Sequence, residues 1–167
     1  MTEHIISELE ALRAGDLPTH GGRTLAYVYD SGLAEIDALG VKALTMFSSA
    51  NGLDPTAFPS LLAMEKYLVG FAKPLFHAPE SAVGSVTSGG TESILLAVQS
   101  ARDARPDIDR PAMILPTTTH AAFHKAAHYF GVERIMVEVD PVSRKASPQA
   151  MAEALEGHLD RVVLMAA

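Results

Sequence analysis

Apolar residues recur at every third or fourth position in the first part of the chain, with polar residues between them. This spacing is typical of amphipathic helices, because such positions share one helical face. Gly15 and the pair Lys73-Pro74 are helix-ending signals, and the Gly-rich residues 15–32 predict an extended arm or loop. The pattern therefore predicts three helices: residues 5–14, residues 33–49, and a helix that begins at Pro59 and ends at Lys73-Pro74.

The pattern changes after residue 82, where short β-branched and aliphatic runs alternate with helical stripes. This alternation is typical of an α/β sheet with largely parallel strands. The predicted strands are residues 83–87, 112–115, 135–139 and 162–165, and the predicted helices are residues 91–102, 120–130 and 148–157. Ligands of such sheets bind beyond the carboxyl ends of the strands. Since the chain stops directly after a strand, we expect it to be one part of a larger domain.

Composition excludes several functions. The net charge of −7, without any Lys/Arg run, argues against nucleic-acid binding. The absence of cysteine excludes disulfides, thiolate zinc sites and cysteine nucleophiles, and it agrees with a reducing compartment. No apolar run approaches the ~18 residues of a membrane helix. The acidic, amphipathic N-terminus also differs from a signal peptide. We therefore predict a soluble, cytoplasmic protein with no transmembrane segment.

The stretch VGSVTSGGTESILLAVQ, residues 83–99, joins a predicted strand to a predicted helix through two glycines. Helix N-termini present unpaired N–H groups and partial positive charge, so they attract phosphate. Gly89 and Gly90 allow close approach, and Thr91 adds a hydroxyl donor. The spacing fits neither GxxxxGK[ST] nor GxGxxG. Two interpretations stay open: a phosphate site, or a tight turn capped by Ser88 or Thr91.

Three ordered stretches resemble those of the sphingosine-1-phosphate lyases, in the group II decarboxylase branch of pyridoxal-phosphate (PLP) enzymes. VTSGGTESILLAV resembles the family's phosphate-binding segment, and HAAFHKAAHYFGV resembles its HAAFxKAAxYFG segment. NGLDPTAFPSLLAMEKYLV resembles its NPLHPDxFPxxxxME stretch. Together the matches cover the chain from about residue 27 to its end.

The resemblance implies a type I, aspartate-aminotransferase-like PLP-dependent transferase fold with an incomplete large domain. Residues 1–58 would form an N-terminal helical arm and dimerisation segment, and residues 59–167 the first part of the PLP-binding large domain. The family works as a homodimer, with its active sites at the subunit interface. PLP is the implied cofactor, and a small phosphorylated amine or amino acid is the implied substrate.

The resemblance also assigns site residues. Gly89, Gly90 and Thr91 would hold the phosphate of PLP. His120 would stack on the pyridine ring, which makes it the candidate catalytic residue while the cofactor acts as electron sink. Tyr29, in the N-terminal arm, would contact the substrate.

Asn51 corresponds to a family asparagine near the substrate phosphate. Close to it, Asp54 and Thr56 stand where the family has a histidine and an aspartate. A carboxylate therefore replaces a possible cation, and this departure leaves the substrate open.

Enzymes of this fold need a lysine for the internal Schiff base. Lys125 follows His124, but it occupies the place of the family's non-catalytic lysine, and the reactive lysine is expected further along the chain. The remaining lysines are predicted to be surface charges: Lys42, Lys66, Lys73 and Lys145. We therefore expect the 167 residues alone to be inactive.

Histidines 120, 124 and 128 share one helical face, as zinc-binding pairs do, but no acidic third ligand accompanies them. We predict no metal site there. For Glu65 and Glu92 we expect capping or a local ion pair.

The functional hypothesis is the N-terminal part of a PLP-dependent carbon–carbon lyase. Such an enzyme cleaves a phosphorylated sphingoid base by a retro-aldol reaction to a fatty aldehyde and phosphoethanolamine. Two alternatives stay open. One is an amino-acid decarboxylase of the glutamate or aromatic type. The other is a truncated, non-catalytic protein that binds a phosphorylated ligand or a partner subunit.

Overall fold

The structure is a computed structural model that describes residues 2–167. Contacts along the chain divide it into two units, Met1–Leu75 and Phe76–Ala167. The helix that begins at Pro59 belongs to the first of these units. A domain boundary between residues 58 and 59 stays a prediction.

The first unit contains the three helices that periodicity predicts: α1 (Thr2–Arg13), α2 (Ala34–Met46) and α3 (Pro59–Leu75). Pro74 lies inside the last turn of α3 and does not end it. No described residue of these helices is buried, so their apolar stripes remain exposed. The stripes include the large side chains Ile5, Leu9, Ile36, Leu44, Leu68 and Phe71.

The second unit alternates helices and strands as predicted. Its elements are α4 (Gly90–Asp103), β1 (Ala112–Pro116), α5 (Ala121–Phe130), β2 (Glu133–Val137), α6 (Pro148–Glu156) and β3 (Val162–Met165). The strands form one parallel sheet in the order β2-β1-β3. The prediction of an α/β architecture with parallel strands is confirmed.

Strand β1 lies at the centre of this sheet, and all five of its residues are buried. Its continuous apolar run AMILP is what a strand covered on both faces requires. Side chains alternate between the faces: Leu115 packs in a cluster with Val98 of α4 and Ala126 of α5. Ile114 packs on the other face with Met151 of α6.

Residues 83–87 were predicted as a strand, and this prediction is wrong. They make no ladder with the described sheet, whose three strands pair only with one another. Val83 is 94% exposed. A β-branched run becomes a strand only where a neighbouring strand accepts its hydrogen bonds, and local propensity does not supply that neighbour. The segment instead lines an open cleft of about 740 Å³ beside Ser93 and Leu96 of α4.

Gly131 turns the chain from α5 into β2. Its backbone is left-handed, with φ 65° and ψ 33°, and the following N–H of Val132 donates to the Ala127 carbonyl at 3.1 Å. Glycine adopts this conformation without the steric cost that a Cβ adds. The turn brings β2 back against α5.

We expect Gly131→Ala to lower the free energy of unfolding by about 1 kcal/mol, because an L side chain strains the left-handed backbone. Gly157→Ala is the matched control, since Gly157 is right-handed with φ −71°. A Cβ there would meet Ala154 O at an ordinary 3.8 Å. The control should be neutral or slightly stabilising. Urea denaturation of both variants measures the difference, and equal effects would contradict the prediction.

Candidate binding site at the carboxyl edge of the sheet

Helices α4 and α5 begin at the same edge of the sheet. Helix α4 leads into the amino end of β1, and α5 leaves its carboxyl end. Their last turns meet, because Arg102 Nη1 donates to the Phe130 carbonyl at 3.1 Å and the guanidinium lies 5.3 Å from the Phe130 ring centroid. Since α4 runs over 14 residues and α5 over 10 residues toward these last turns, their first turns lie at the opposite end. That end is the carboxyl edge, where parallel sheets bind ligands.

The first turn of α4 is open to a ligand. Gly89 is the N-cap, and no side chain caps the helix. Of the two interpretations of this turn, the one with a cap by Ser88 or Thr91 is therefore wrong, because Ser88 precedes the N-cap and Thr91 lies inside the helix. Among the described residues, neither the Thr91 hydroxyl nor the N–H groups of Gly90 and Thr91 have a protein acceptor.

Glu92 folds back and holds the turn. Its Oε2 accepts a hydrogen bond from the Ser88 N–H at 2.6 Å, which confirms the structural role predicted for it. Hydrogen bonds from the Ser88 side chain and N–H lower the pKa of the Glu92 carboxyl. The Thr87 hydroxyl lies 2.7 Å from Ser93 Oγ and donates to the Gly89 carbonyl at 3.1 Å. These bonds tie the loop to α4 without using the donors of Gly90 and Thr91.

The same turn has room for an anion. A Cβ built on Gly89 or Gly90 would meet no atom within 4 Å. The first turn of this 14-residue helix contributes the N–H groups of Gly90 and Thr91 and the positive end of the helix dipole, and Thr91 carries a hydroxyl there. The residues therefore fit the phosphate of the cofactor that the sequence resemblance implies.

His120 is the N-cap of α5. Its Nδ1 accepts a hydrogen bond from the Ala122 N–H at 3.1 Å. In the neutral ring the proton therefore lies on Nε2. The bond restrains the imidazole at the carboxyl edge, and the side chain is exposed there. Sequence periodicity placed His120 in the helix, but only the structure reveals its capping bond.

The predicted substrate residues belong to the first unit. Tyr29 is exposed, and Asn51 uses its Oδ1 to accept the Leu53 N–H at 3.1 Å. Asp54 accepts hydrogen bonds from the Thr56 hydroxyl at 2.6 Å and from the Thr56 N–H at 2.8 Å. The hydrogen bond from the Thr56 side chain is the main cause that lowers the pKa of Asp54. Asp54 thus stays ionised near neutral pH.

Sequence analysis missed a histidine–aspartate cluster in the arm of the first unit. His20 Nδ1 lies 3.2 Å from Asp30 Oδ1 and 3.8 Å from Asp37 Oδ2. The N–H groups of Gly21 and Gly32 also donate to Asp30, each at 3.0 Å. These hydrogen bonds, from Gly32 first, lower the pKa of Asp30. Asp30 therefore joins distant residues of the arm through its hydrogen bonds. Helical or strand periodicity could not predict this cluster, because His20 and Asp30 are ten residues apart.

Comparison with known proteins identifies the family of this chain. Residues 62–166 match the DegT/DnrJ/EryC1/StrS aminotransferase family. The sphingosine-1-phosphate lyase of Dictyostelium discoideum is 37% identical over 154 residues, which are 92% of this chain and 29% of that protein. The chain therefore spans less than a third of the length of this relative.

Two solved structures share the fold. The sphingosine-1-phosphate lyase Bpss2021 of Burkholderia pseudomallei K96243 superposes with a TM-score of 0.81 at 28% identity, over 99% of this chain and 39% of that one. The glutamate decarboxylase of Lactobacillus brevis CGMCC 1306 superposes with a TM-score of 0.69 at 16% identity, over 99% of this chain and 38% of that one. The second likeness shows the fold alone.

The predicted resemblance and the predicted type I fold are confirmed by these matches. None of the helices among residues 2–167 is both long and apolar enough to cross a bilayer. The α/β unit with its small parallel sheet is a partial domain of this fold. With its residues 62–166 matched, this chain belongs to the DegT/DnrJ/EryC1/StrS aminotransferase family of PLP-dependent enzymes.

Proposed function

We propose that this chain forms the phosphate-holding part of a PLP-dependent carbon–carbon lyase similar to the sphingosine-1-phosphate lyases. The substrate class is a phosphorylated sphingoid base, cleaved to a fatty aldehyde and phosphoethanolamine. The observation that carries the proposal is the open first turn of α4, where the donors of Gly90 and Thr91 have no acceptor among the described residues. The 37% identity to a sphingosine-1-phosphate lyase over 92% of the chain supports it.

In this proposal, the N–H groups of Gly90 and Thr91 and the Thr91 hydroxyl bind the cofactor phosphate. Gly89 leaves space for it, and the α4 dipole adds attraction for the negative charge. PLP, when bound, supplies an electron sink for the bond that breaks at the substrate carbon. His120 would stack on the cofactor ring, and its hydrogen bond from the Ala122 N–H limits rotation of the imidazole.

We assign substrate contacts to Tyr29 and Asn51. The Asn51 amide still has both N–H donors, since its capping bond uses only Oδ1. Asp54 favours a second candidate function, amino-acid decarboxylation. Its ionised carboxylate stands close to Asn51 in the sequence, and it would repel a phosphate but attract an ammonium group.

We further propose that no lysine of these residues carries the Schiff base. Lys125 is exposed on α5, and its Nζ lies 5.9 Å from the Tyr129 ring centroid. A helix places residues 120 and 125 about 140° apart around its axis, so Lys125 does not share the side of His120. The exposed apolar stripes of α1, α2 and α3 support a homodimer, in which a second subunit would cover them. The cytoplasmic location stays a prediction from composition.

Pyridoxine 5′-phosphate tests the phosphate site, because it has no aldehyde and does not react with lysines. We expect calorimetric titration to show saturable binding, and Thr91→Ala to weaken it about tenfold through loss of a charge-assisted hydrogen bond. Thr45→Ala, an exposed helical threonine of the first unit, is the matched control and should bind normally. Unchanged affinity in Thr91→Ala would contradict the site.

Borohydride reduction of the chain in the presence of PLP tests the lysine proposal. We expect low, scattered labelling across the five lysines. Stoichiometric labelling of one of them, located by peptide mapping, would contradict it.

Pyridoxine without its phosphate should bind more weakly than pyridoxine 5′-phosphate, which separates phosphate recognition from recognition of the ring.

A further inference from the structure

A second cleft, of about 400 Å³, lies between α5 and β2. Its walls include His124 and His128 from one face of α5, and Glu133 and Arg134 from the start of β2. Strand β2 runs parallel to β1, so its first residues lie at the amino edge of the sheet, where β1 also begins. The cleft is thus at the end opposite the first turns of α4 and α5. It is not part of the site described above.

The donors in this cleft can be assigned from one hydrogen bond. Arg134 Nη1 lies 2.9 Å from His124 Nδ1. A guanidinium has only donors, so His124 Nδ1 must be the acceptor and carry no proton. The neutral ring of His124 then has its proton on Nε2, which presents an N–H. Because neither ring nitrogen offers a free lone pair in this state, His124 is unsuited to a metal ion.

The cleft has positive charge that no carboxylate balances. Among residues 2–167, no carboxylate oxygen lies within 4 Å of Arg134. The one acid that lines the cleft, Glu133, is held by Arg161 Nη1 at 2.6 Å and Arg110 Nη2 at 3.2 Å. The hydrogen bond from Arg161 is the main cause that lowers the pKa of Glu133. The Arg134 guanidinium therefore remains available in a chain whose net charge is −7.

We propose that this cleft binds an oxyanion of the phosphate-monoester class. The Arg134 fork supplies paired N–H donors, which suit a phosphate group. The Nε2–H of His124 and the imidazole of His128 line the same space and supply further donors. The three side chains stand on two elements joined by the Gly131 turn and by the hydrogen bond from the Val132 N–H to the Ala127 carbonyl, so they are held together without a ligand.

NMR spectra of the histidine ring signals test the proposal, with inorganic phosphate as the probe. We expect phosphate to shift the ring signals of His124 and His128 saturably, while those of His158, in the same unit but outside the cleft, stay in place. Sodium chloride at equal ionic strength should produce no such shift, which separates binding from screening. The amides of Gly90 and Thr91 report the other site in the same titration.

Two variants make the test decisive. Arg134→Gln should weaken phosphate binding at the histidines about tenfold through loss of a charged donor. His128→Gln removes an imidazole without touching the Arg134–His124 bond, and it should also weaken binding. Arg144→Gln, an exposed arginine outside the cleft, is the control and should change nothing. Wild-type affinity in both cleft variants would overturn the proposal, and acetate binding as tight as phosphate would overturn the assigned ligand class.

Discussion

Replacing Leu115 by alanine is expected to lower the free energy of unfolding of the second unit by about 3 kcal/mol. Leu115 is fully buried in the central strand, in a cluster with Val98 and Ala126. The substitution removes apolar contacts and leaves a cavity that packed helices cannot fill. Because domains of this size are stable by only about 5–15 kcal/mol, the loss is a large fraction of the total.

Urea denaturation followed by far-UV circular dichroism measures this effect. Leu159→Ala is the matched control, since Leu159 is 67% exposed and its truncation should change stability by less than about 0.5 kcal/mol. Ile114→Val gives a milder probe of the opposite face of β1, with an expected loss of about 1 kcal/mol. Similar denaturation midpoints for Leu115→Ala and Leu159→Ala would show that β1 is not the core strand.

Two substitutions at His120 are expected to separate its capping role from its proposed stacking role. His120→Asn keeps a good N-cap acceptor for the Ala122 N–H but removes the aromatic ring. We expect near-normal stability and weaker binding of pyridoxine 5′-phosphate by about two- to tenfold, which corresponds to the roughly 0.5–1.5 kcal/mol that aromatic pairs contribute. His120→Phe keeps a ring but loses the acceptor, so it should cost about 1 kcal/mol of stability.

Each variant should change one readout and leave the other near the wild-type value: His120→Asn should weaken binding, and His120→Phe should lower stability. Far-UV circular dichroism reports stability, and calorimetry reports cofactor-analogue binding. Wild-type binding by His120→Asn would contradict the stacking role, even if the helix remains capped. Wild-type stability of His120→Phe would contradict the cap seen in the structure. Thr91→Ala serves as a reference in both assays, because it affects phosphate binding at α4 and leaves the α5 cap intact.

Local sequence determined most of the secondary structure. Periodicity predicted all three helices of the first unit and the alternation from residue 91 onward, because helix and strand faces are set by neighbours a few positions apart. The exception is residues 83–87, whose β-branched composition satisfied the local rule while the described sheet offered them no partner. The identity of a strand depends on a second segment far away in the chain.

The candidate residues of the phosphate site were identified from sequence motifs. The family comparison confirmed the resemblance on which that identification depends. Their roles at these positions remain proposals. Neither Ser88 nor Thr91 caps α4, because Ser88 precedes the N-cap and Thr91 lies inside the helix, and Glu92 instead accepts the Ser88 N–H, a bond that depends on how the loop folds. The same fold leaves the donors of Gly90 and Thr91 available, which residue types alone do not specify.

By itself, then, the sequence determined the class of fold, the positions of most elements and the residues that could bind a phosphate. Tertiary structure decided which of them meet. Side-by-side packing of α4 and α5, marked by the Arg102–Phe130 contact, brings Thr91 and His120 to one edge. The left-handed turn at Gly131 returns Arg134 to His124, ten residues earlier. The shared edge of Thr91 and His120 and the contact of Arg134 with His124 both depend on backbone direction over many residues, which periodicity within one element does not encode.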